Sequence, residues 1–390
     1  MLKTKSKVLR SVIAMALVTG LITLQACSDA LDAAKTKATQ TYITWKFGGE
    51  LLAMPADIFT VHPERNAKRS AYFGDLHVHT TYSFDAFAFG TLASPYDAYR
   101  YAKGEAIKHP AGFDLKLREP LDFYAVTDHA MFLGALPAAA DTSTEFSKYD
   151  FNQGLHNFNA PEKLNTGTVQ ERFALFQGFL PGILTGLVEG TVDIDQVNKI
   201  VADAWADTIN AAEVFNDPGK FTTFVAYEYT SSTAGMGNLH RNVIFKGADK
   251  LPAMPFSRFH NQDPEGLWDW MDALRSEGIE SLAIPHNSNG SNGQMFSLAD
   301  WADDPMDENY TSKRIRNEPL IEITQVKGTS ETHPSLSESD EWADFEIMPY
   351  RVATTLNSEP KGSYAREALL NGLNFQDEDQ TNPYKFGFIG

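Results

Sequence analysis

The chain has 390 residues, 43% hydrophobic and 12% aromatic, enough for a sizeable core in one large domain or two ordinary ones. Its formal net charge of −18 repels nucleic-acid phosphates and anionic lipid head groups, which excludes a broad polyanion-binding face. A small anion can still bind where metal ions reverse the field locally.

Taken in chain order, residues 1–26 read as a secretory signal. Lys3, Lys5, Lys7 and Arg10 give a basic start, and "SVIAMALVTGLITLQA" is an uncharged apolar stretch too short to span a bilayer comfortably. It ends in "LQAC", and Cys27 is the only cysteine, so no intramolecular disulfide can form. This start resembles that of bacterial lipoproteins. The resemblance implies cleavage before Cys27, lipidation of Cys27 and, with Ser28 next, sorting to the outer membrane. The alternative is an ordinary secretory signal with a chance cysteine. Residues 27–70 then form a tether between lipid and domain.

From residue 71 the pattern is a series of apolar runs, each ending abruptly in polar or ionisable residues: "AYFGDLHVH", "LDFYAVTDH", "FTTFVAYEYT", "ESLAIPHNSN" and "LIEITQVKGTSE". Runs of this length, rich in β-branched and aromatic residues, predict strands buried on both faces, as in a parallel sheet. Between them, "SPYDAYRYAKGEA" predicts a helix with Ser94 as N-cap and Pro95 in its first turn, and "PEGLWDWMDALRSEG" predicts one that stops at Gly278. Alternation of strand and helix gives an α/β fold, either a barrel or an open doubly wound sheet, and in both the site lies at the C-terminal ends of the strands. Residues 130–220 break the alternation as a helical insertion. There Phe173, Phe176, Phe179, Leu180, Ile183 and Leu184 predict a helix-packing core, with a cap over the site as a second reading.

The ligand candidates stand at those strand ends. His77 and His79, at alternate positions of one strand, project to one face and can reach one ion. Asp85 follows on the loop; "TDH" supplies Asp128 and His129, "AYEYT" Glu228, "NLHRN" His240 and "IPHN" His286. So many carboxylates and imidazoles exceed the needs of one tetrahedral ion and point to a multinuclear zinc, manganese or iron site. Arg241, beside His240, is either a phosphate clamp or a partner in a salt bridge. Glu322, ending "LIEI", either faces the site or pairs with a lysine. "HNSNGSNG" is a turn-forming loop in which Asn287 and Asn289 are possible substrate contacts. His62, His109, His156, His260 and His333 take no role.

At "DLHVHTTYSFDA" and "TDHA" the chain resembles the polymerase-and-histidinol-phosphatase (PHP) superfamily of metal-dependent phosphoesterases, and "TLASPYDAYRYA" looks like that superfamily's first helix. Glu228, His240 and His286 match its later motif residues. With the lipoprotein start and "HNSNGSNG", the chain looks most like a bacterial branch known only as a domain of unknown function. The resemblance covers residues 71–390 outside the insertion. It implies a distorted (β/α)7 barrel with two or three divalent ions. His77, His79 and Glu228 would hold the first, and Glu228 would bridge to a second on His240 and His286. Asp85 and His129 would hold the third. Asp128 would orient a ligand imidazole or ligate directly. A hydroxide bridging two ions would be the nucleophile, with the third ion neutralising phosphate charge.

The superfamily's final aspartate-x-histidine pair has no counterpart before the chain stops at "NPYKFGFIG", so a fragment truncated at the C-terminus is expected. The expected function is hydrolysis of a small phosphoester or similar anionic substrate in the cell envelope, lipid-anchored at the outer membrane and facing the periplasm or surface. An amidohydrolase shares the alternate histidines, but Asp85 and the "TDH" block suit a three-metal phosphoesterase better. A sulfate-ester hydrolase stays open because the same cluster would stabilise that reaction by similar electrostatics. So does a non-catalytic surface lipoprotein that binds metal or a ligand.

Overall fold

The apolar runs form the strands of a curled sheet in the computed structural model, which describes residues 70–164, 169–232, 237–352, 354–378 and 380–390. The signal, Cys27 and the tether up to residue 69 lie outside the described residues. The elements in chain order are β1 (Gly74–Val78), α1 (Phe84–Ala88), α2 (Pro95–Ala102), the short strands β2 (Ile107–Lys108) and β3 (Asp114–Leu115), and β4 (Phe123–Val126). Helices α3 (Ala135–Ala140), α4 (Pro161–Leu164), α5 (Val169–Glu189) and α6 (Ile194–Phe215) follow, then β5 (Thr222–Ser232), β6 (Asn238–Phe245), α7 (Pro264–Ser276) and β7 (Ser281–His286). The rest comprises α8 (Glu308–Asn317), β8 (Leu320–Glu322), the hairpin β9 (Thr324–Gln325) and β10 (Gly328–Thr329), α9 (Ala365–Asp377) and β11 (Gly387–Ile389). Among the described residues no helix is long and apolar enough to cross a membrane.

The main sheet runs in the order β1-β4-β5-β6-β7. Strands β1, β4 and β5 are parallel, whereas β6 runs antiparallel to both of its neighbours. Here the structure corrects the expectation of a parallel sheet. β6 follows β5 as a hairpin partner, without a helical crossover, and so points the other way. Strands β8 and β11 form a separate parallel pair beside β7. The sheet is nonetheless strongly curled. Its edge strands β1 and β7 bring His77 and His286 together with ring centroids 4.1 Å apart. The result is a mixed α/β fold around a five-stranded half-barrel.

The helices cover the convex face. Tyr124, Val126, Tyr227, Tyr229 and Val243 of the sheet pack there with Tyr99 of α2, Trp205 of α6 and Leu267 and Met271 of α7. α2 starts as its sequence predicts: Ser94 and Asp97 make a reciprocal capping box around Pro95. α7 likewise ends before Gly278, whose φ of 85° only glycine adopts without strain. On the concave face Ala125, Ala226, Ile244 and Ile284 form a small plug with Leu76, Leu320 and Ile389. Between β4 and β5, helices α3 to α6 form the expected helical segment. Phe179 and Ile183 are buried there and Leu180 and Leu184 half-buried. Phe173 differs from the expectation and is 36% exposed, and the side chain of Phe176 lies outside the described residues.

Candidate metal centre

The plug positions the ligands. On a strand, residues two apart share a face, so the inner face that carries Ala226 next presents Glu228, and the one that carries Ile284 next presents His286. On β6 the order reverses with the strand direction: Ile244, Asn242, then His240. His129 follows β4 by the same rule and bridges to Glu228. β1 needs a further device. Leu76 belongs to the plug, yet the adjacent His77 also faces inward, because the register with β4 slips between Asp75 and Val78. Such a bulge re-aims the residues after it, and so His77 and His79 both reach the concave face.

Glu228, only 1% exposed, is the hub. Its Oε2 lies 2.9 Å from His79 Nε2 and 3.6 Å from His77 Nε2. Its Oε1 lies 3.2 Å from His129 Nδ1 and 3.4 Å from His286 Nε2, and pairs closely with His240 Nδ1. Asp85 closes the other side, 3.3 Å from His79 Nδ1 and 3.4 Å from His129 Nε2. Four groups of ligand atoms result: His77 with His79 and Glu228; His79 with Asp85 and His129; His129 with Glu228 and His240; and His77 with His286 and Glu322. These buried groups could hold a metal ion.

The hydrogen bonds around the cluster fix which nitrogen each imidazole presents. Ser83 Oγ donates to Asp85 Oδ1 (2.6 Å) and can then only accept from His79 Nδ1 (2.9 Å). Thr230 Oγ1 donates to Glu228 Oε1 (3.0 Å) and accepts from His129 Nδ1 (2.7 Å). His77 Nδ1 donates to Glu322 Oε2 (2.8 Å). In all three rings Nδ1 carries a proton, which leaves Nε2 as the nitrogen to be turned to an ion, as outer partners of metal-bound histidines commonly arrange. His79 Nε2, His240 Nε2 and His286 Nε2 are buried without a hydrogen-bond partner. For His79 the distance to Glu228 is short but the angle is not that of a hydrogen bond. This donor set fits a divalent cation: an ion can take the place of the proton on Nε2 of His77 and His79, and the buried Nε2 atoms of His240 and His286 lack a partner, as buried polar atoms seldom do.

The electrostatics agree. Burial opposes the charge on Glu228, but the imidazoles of His129, His286 and His240 hold its carboxyl well below the ordinary range. Asp85 is likewise held down, against burial, by His79 and His129. Burial also opposes charge on His77 and His79. Glu228 and Glu322 raise His77 nevertheless, and Asp85 with Glu228 raises His79 well above a free imidazole. Burial pushes His240 down to about 4 and, with the charge of His77, pushes His286 down to about 3.

Two residues stand elsewhere than sequence suggests. Arg241 follows His240 on β6 and therefore points to the convex face, where it is 2% exposed and paired through Nε with Glu318. The salt-bridge reading holds there, and the side chain is turned away from any phosphate at the cluster. Asp128 touches no imidazole through a hydrogen bond. Its carboxylate accepts from the backbone N–H of Thr80 (2.5 Å) and from the Thr80 hydroxyl (2.6 Å), fixing the turn after His79. Ser83 and Thr230 are the residues that sequence reasoning left without a role at the site, and Glu322, left between the site and a lysine, faces the site. Glu322 carried a signal, since it ends an apolar strand as the other ligands do. Of the histidines given no role, His62 lies outside the described residues and the others lie apart from the cluster: His109 stacks on Phe113, His156 contacts the Ser147 carbonyl, and His260 and His333 bond to nearby serines.

Residues 66–390 match the family model described as "Protein of unknown function (DUF3604)", well over half of the chain, and the chain therefore belongs to that family. No match was found among curated proteins or solved structures.

Proposed function

We propose that this member of the DUF3604 family is a metal-dependent hydrolase of the bacterial cell envelope, built as a variant of the PHP barrel and anchored by lipid on Cys27. It cleaves a phosphoester or a similar anionic ester. The observation that supports this most is the proton arrangement around Glu228, in which His77, His79 and His129 each spend Nδ1 on a neighbour and turn Nε2 into the cluster. A histidine kept for packing needs no such arrangement.

Two or three divalent ions there, zinc, manganese or iron, would acidify water near neutral pH and neutralise the negative charge of the ester. The chain's own residues do the rest. Glu228 holds the imidazoles in one layer, and Ser83, Thr230 and Glu322 fix their ring orientation. The apolar plug beneath keeps water from that side. Substrate enters at the edge formed by His77, His79 and Asp85, whose side chains are 14%, 15% and 26% exposed, against 0–5% for His129, Glu228, His240 and His286.

The test is metal content by mass spectrometry with phosphomonoester and phosphodiester turnover, comparing the chain from Cys27 onward with a His79→Ala variant. Turnover that needs both metal and His79 is expected. Bound metal with no ester hydrolysis would instead favour a surface protein that binds metal or ligand.

A further inference from the structure

Beside the cluster lies a set of polar atoms that hydrolysis as described leaves unused. Asn287 directly follows His286, stands in the left-handed conformation with φ 53°, and is 1% exposed. Neither the oxygen nor the nitrogen of its carboxamide has a hydrogen-bond partner, and the fully buried hydroxyl of Ser288 has none either. Each such group carries an uncompensated desolvation cost.

The next residue behaves oppositely. Asn289 Oδ1 accepts from Ser330 Oγ (3.0 Å), its backbone N–H donates to the same hydroxyl oxygen (3.2 Å), and its Nδ2 donates to the carbonyl of Lys327 (3.0 Å). Asn289 thus ties the loop after β7 to the β9–β10 hairpin, whose turn carries Lys327. That lysine is half-buried, and among the described residues no carboxylate or other acceptor holds its ammonium. In a chain of net charge −18 an unpaired cation at this place is conspicuous.

The geometry points to an oxyanion-binding rim in which Asn287, Ser288 and Lys327 hold the tetrahedral phosphate or sulfate group of an ester beside the metal centre. The rim rests on the hydrolase reading above and supplies the clamp that Arg241, on the other face, cannot. The carboxamide N–H of Asn287, the Ser288 hydroxyl and the Lys327 ammonium can all donate, and donors without acceptors of their own suit an anion.

The test uses the full chain loaded with zinc or manganese, titrated calorimetrically with inorganic phosphate and separately with sulfate, metal content being measured on the same samples. Asn287→Gly removes the carboxamide but keeps the left-handed backbone accessible, and Lys327→Gln changes a half-exposed turn residue. Both variants should keep their metal and bind the preferred anion about tenfold or more weakly. Whichever anion the unmodified chain binds more tightly names the ester class. Metal bound, with anion affinity unchanged in both variants or with neither anion bound by the unmodified chain, overturns the rim and leaves the hydrolase reading standing. An unmodified chain that takes up no metal overturns that reading and the rim with it.

Discussion

His240 and Arg241 are neighbours on β6, and the two faces they occupy each bury a glutamate. On the concave face Glu228 meets the imidazoles of His77, His79, His129, His240 and His286. On the convex face Glu318 meets Arg241 and Arg314 and accepts from the indole of Trp268 (2.8 Å). Glu228 is 1% exposed and Glu318 4%, so burial does not separate them. Their partners do. A guanidinium keeps its proton under all ordinary conditions, so Glu318 sits in a permanent ion pair that holds β6 against α7 and α8. An imidazole can exchange its proton for a metal, so the same carboxylate chemistry on the other face makes a site.

The same isosteric change on both faces gives the largest contrast. Glu318→Gln strands two buried guanidiniums and should cost about 3–5 kcal/mol of stability, read from urea unfolding. Glu228→Gln strands nothing in the metal-free protein, because His77 and His79 can release their protons, and its unfolding midpoint should move much less. What it should lose is the metal. Addition of metal at about 100 times its dissociation constant should raise the stability of the unmodified chain by about 2.7 kcal/mol, an increment that chelation reverses and that Glu228→Gln lacks. Equal unfolding curves for the two variants would break the comparison.

A third test sharpens it through pH. In the metal-free protein His77 and His79 titrate above the ordinary imidazole value, whereas His240 and His286, near 4 and 3, are already neutral. A group raised on folding stabilises below its unfolded pKa, and that contribution is lost as pH rises through the raised value. The metal-free protein should therefore weaken on the alkaline side, and the metal-loaded protein should not, since the ion replaces those protons. Metal affinity should correspondingly fall on acidification, with a slope approaching about two protons per pH unit. A slope near four would mean that His240 and His286 are charged as well.

Much of the concave face was legible in the sequence, because an apolar run that ends in an imidazole or carboxylate marks both a strand and the end at which its ligands stand. His77, His79, His129, Glu228 and His286 could be placed in that way. The direction of β6 could not. "NLHRNVIF" shows no local mark of running antiparallel, and that direction puts His240 near the start of its strand, so that Arg241 falls inside the strand and alternates to the convex face. The bulge in β1 is equally silent, since it arises from pairing with β4 and not from any residue in "GDLHV". Glu322 stayed ambiguous because its partner, His77, is 245 positions away. The five-stranded half-barrel in place of a closed barrel has the same origin, a pairing choice made between distant segments.

The smallest expected effect probes the outer layer of the cluster. Thr230 stands opposite His240 in the β5–β6 register and joins Glu228 to His129 through one hydroxyl. Thr230→Val keeps shape and β-branching and removes only that hydroxyl, leaving His129 free to move its proton to the nitrogen that faces Asp85. If proton placement is what distinguishes this face from its convex counterpart, metal affinity should fall by about tenfold with little change in the melting of the metal-free protein. Calorimetric titration with zinc measures the first and a thermal scan in chelator the second. A drop in stability without a change in affinity would instead make Thr230 a packing residue, the counterpart on this face of what Trp268 is to Glu318 on the other.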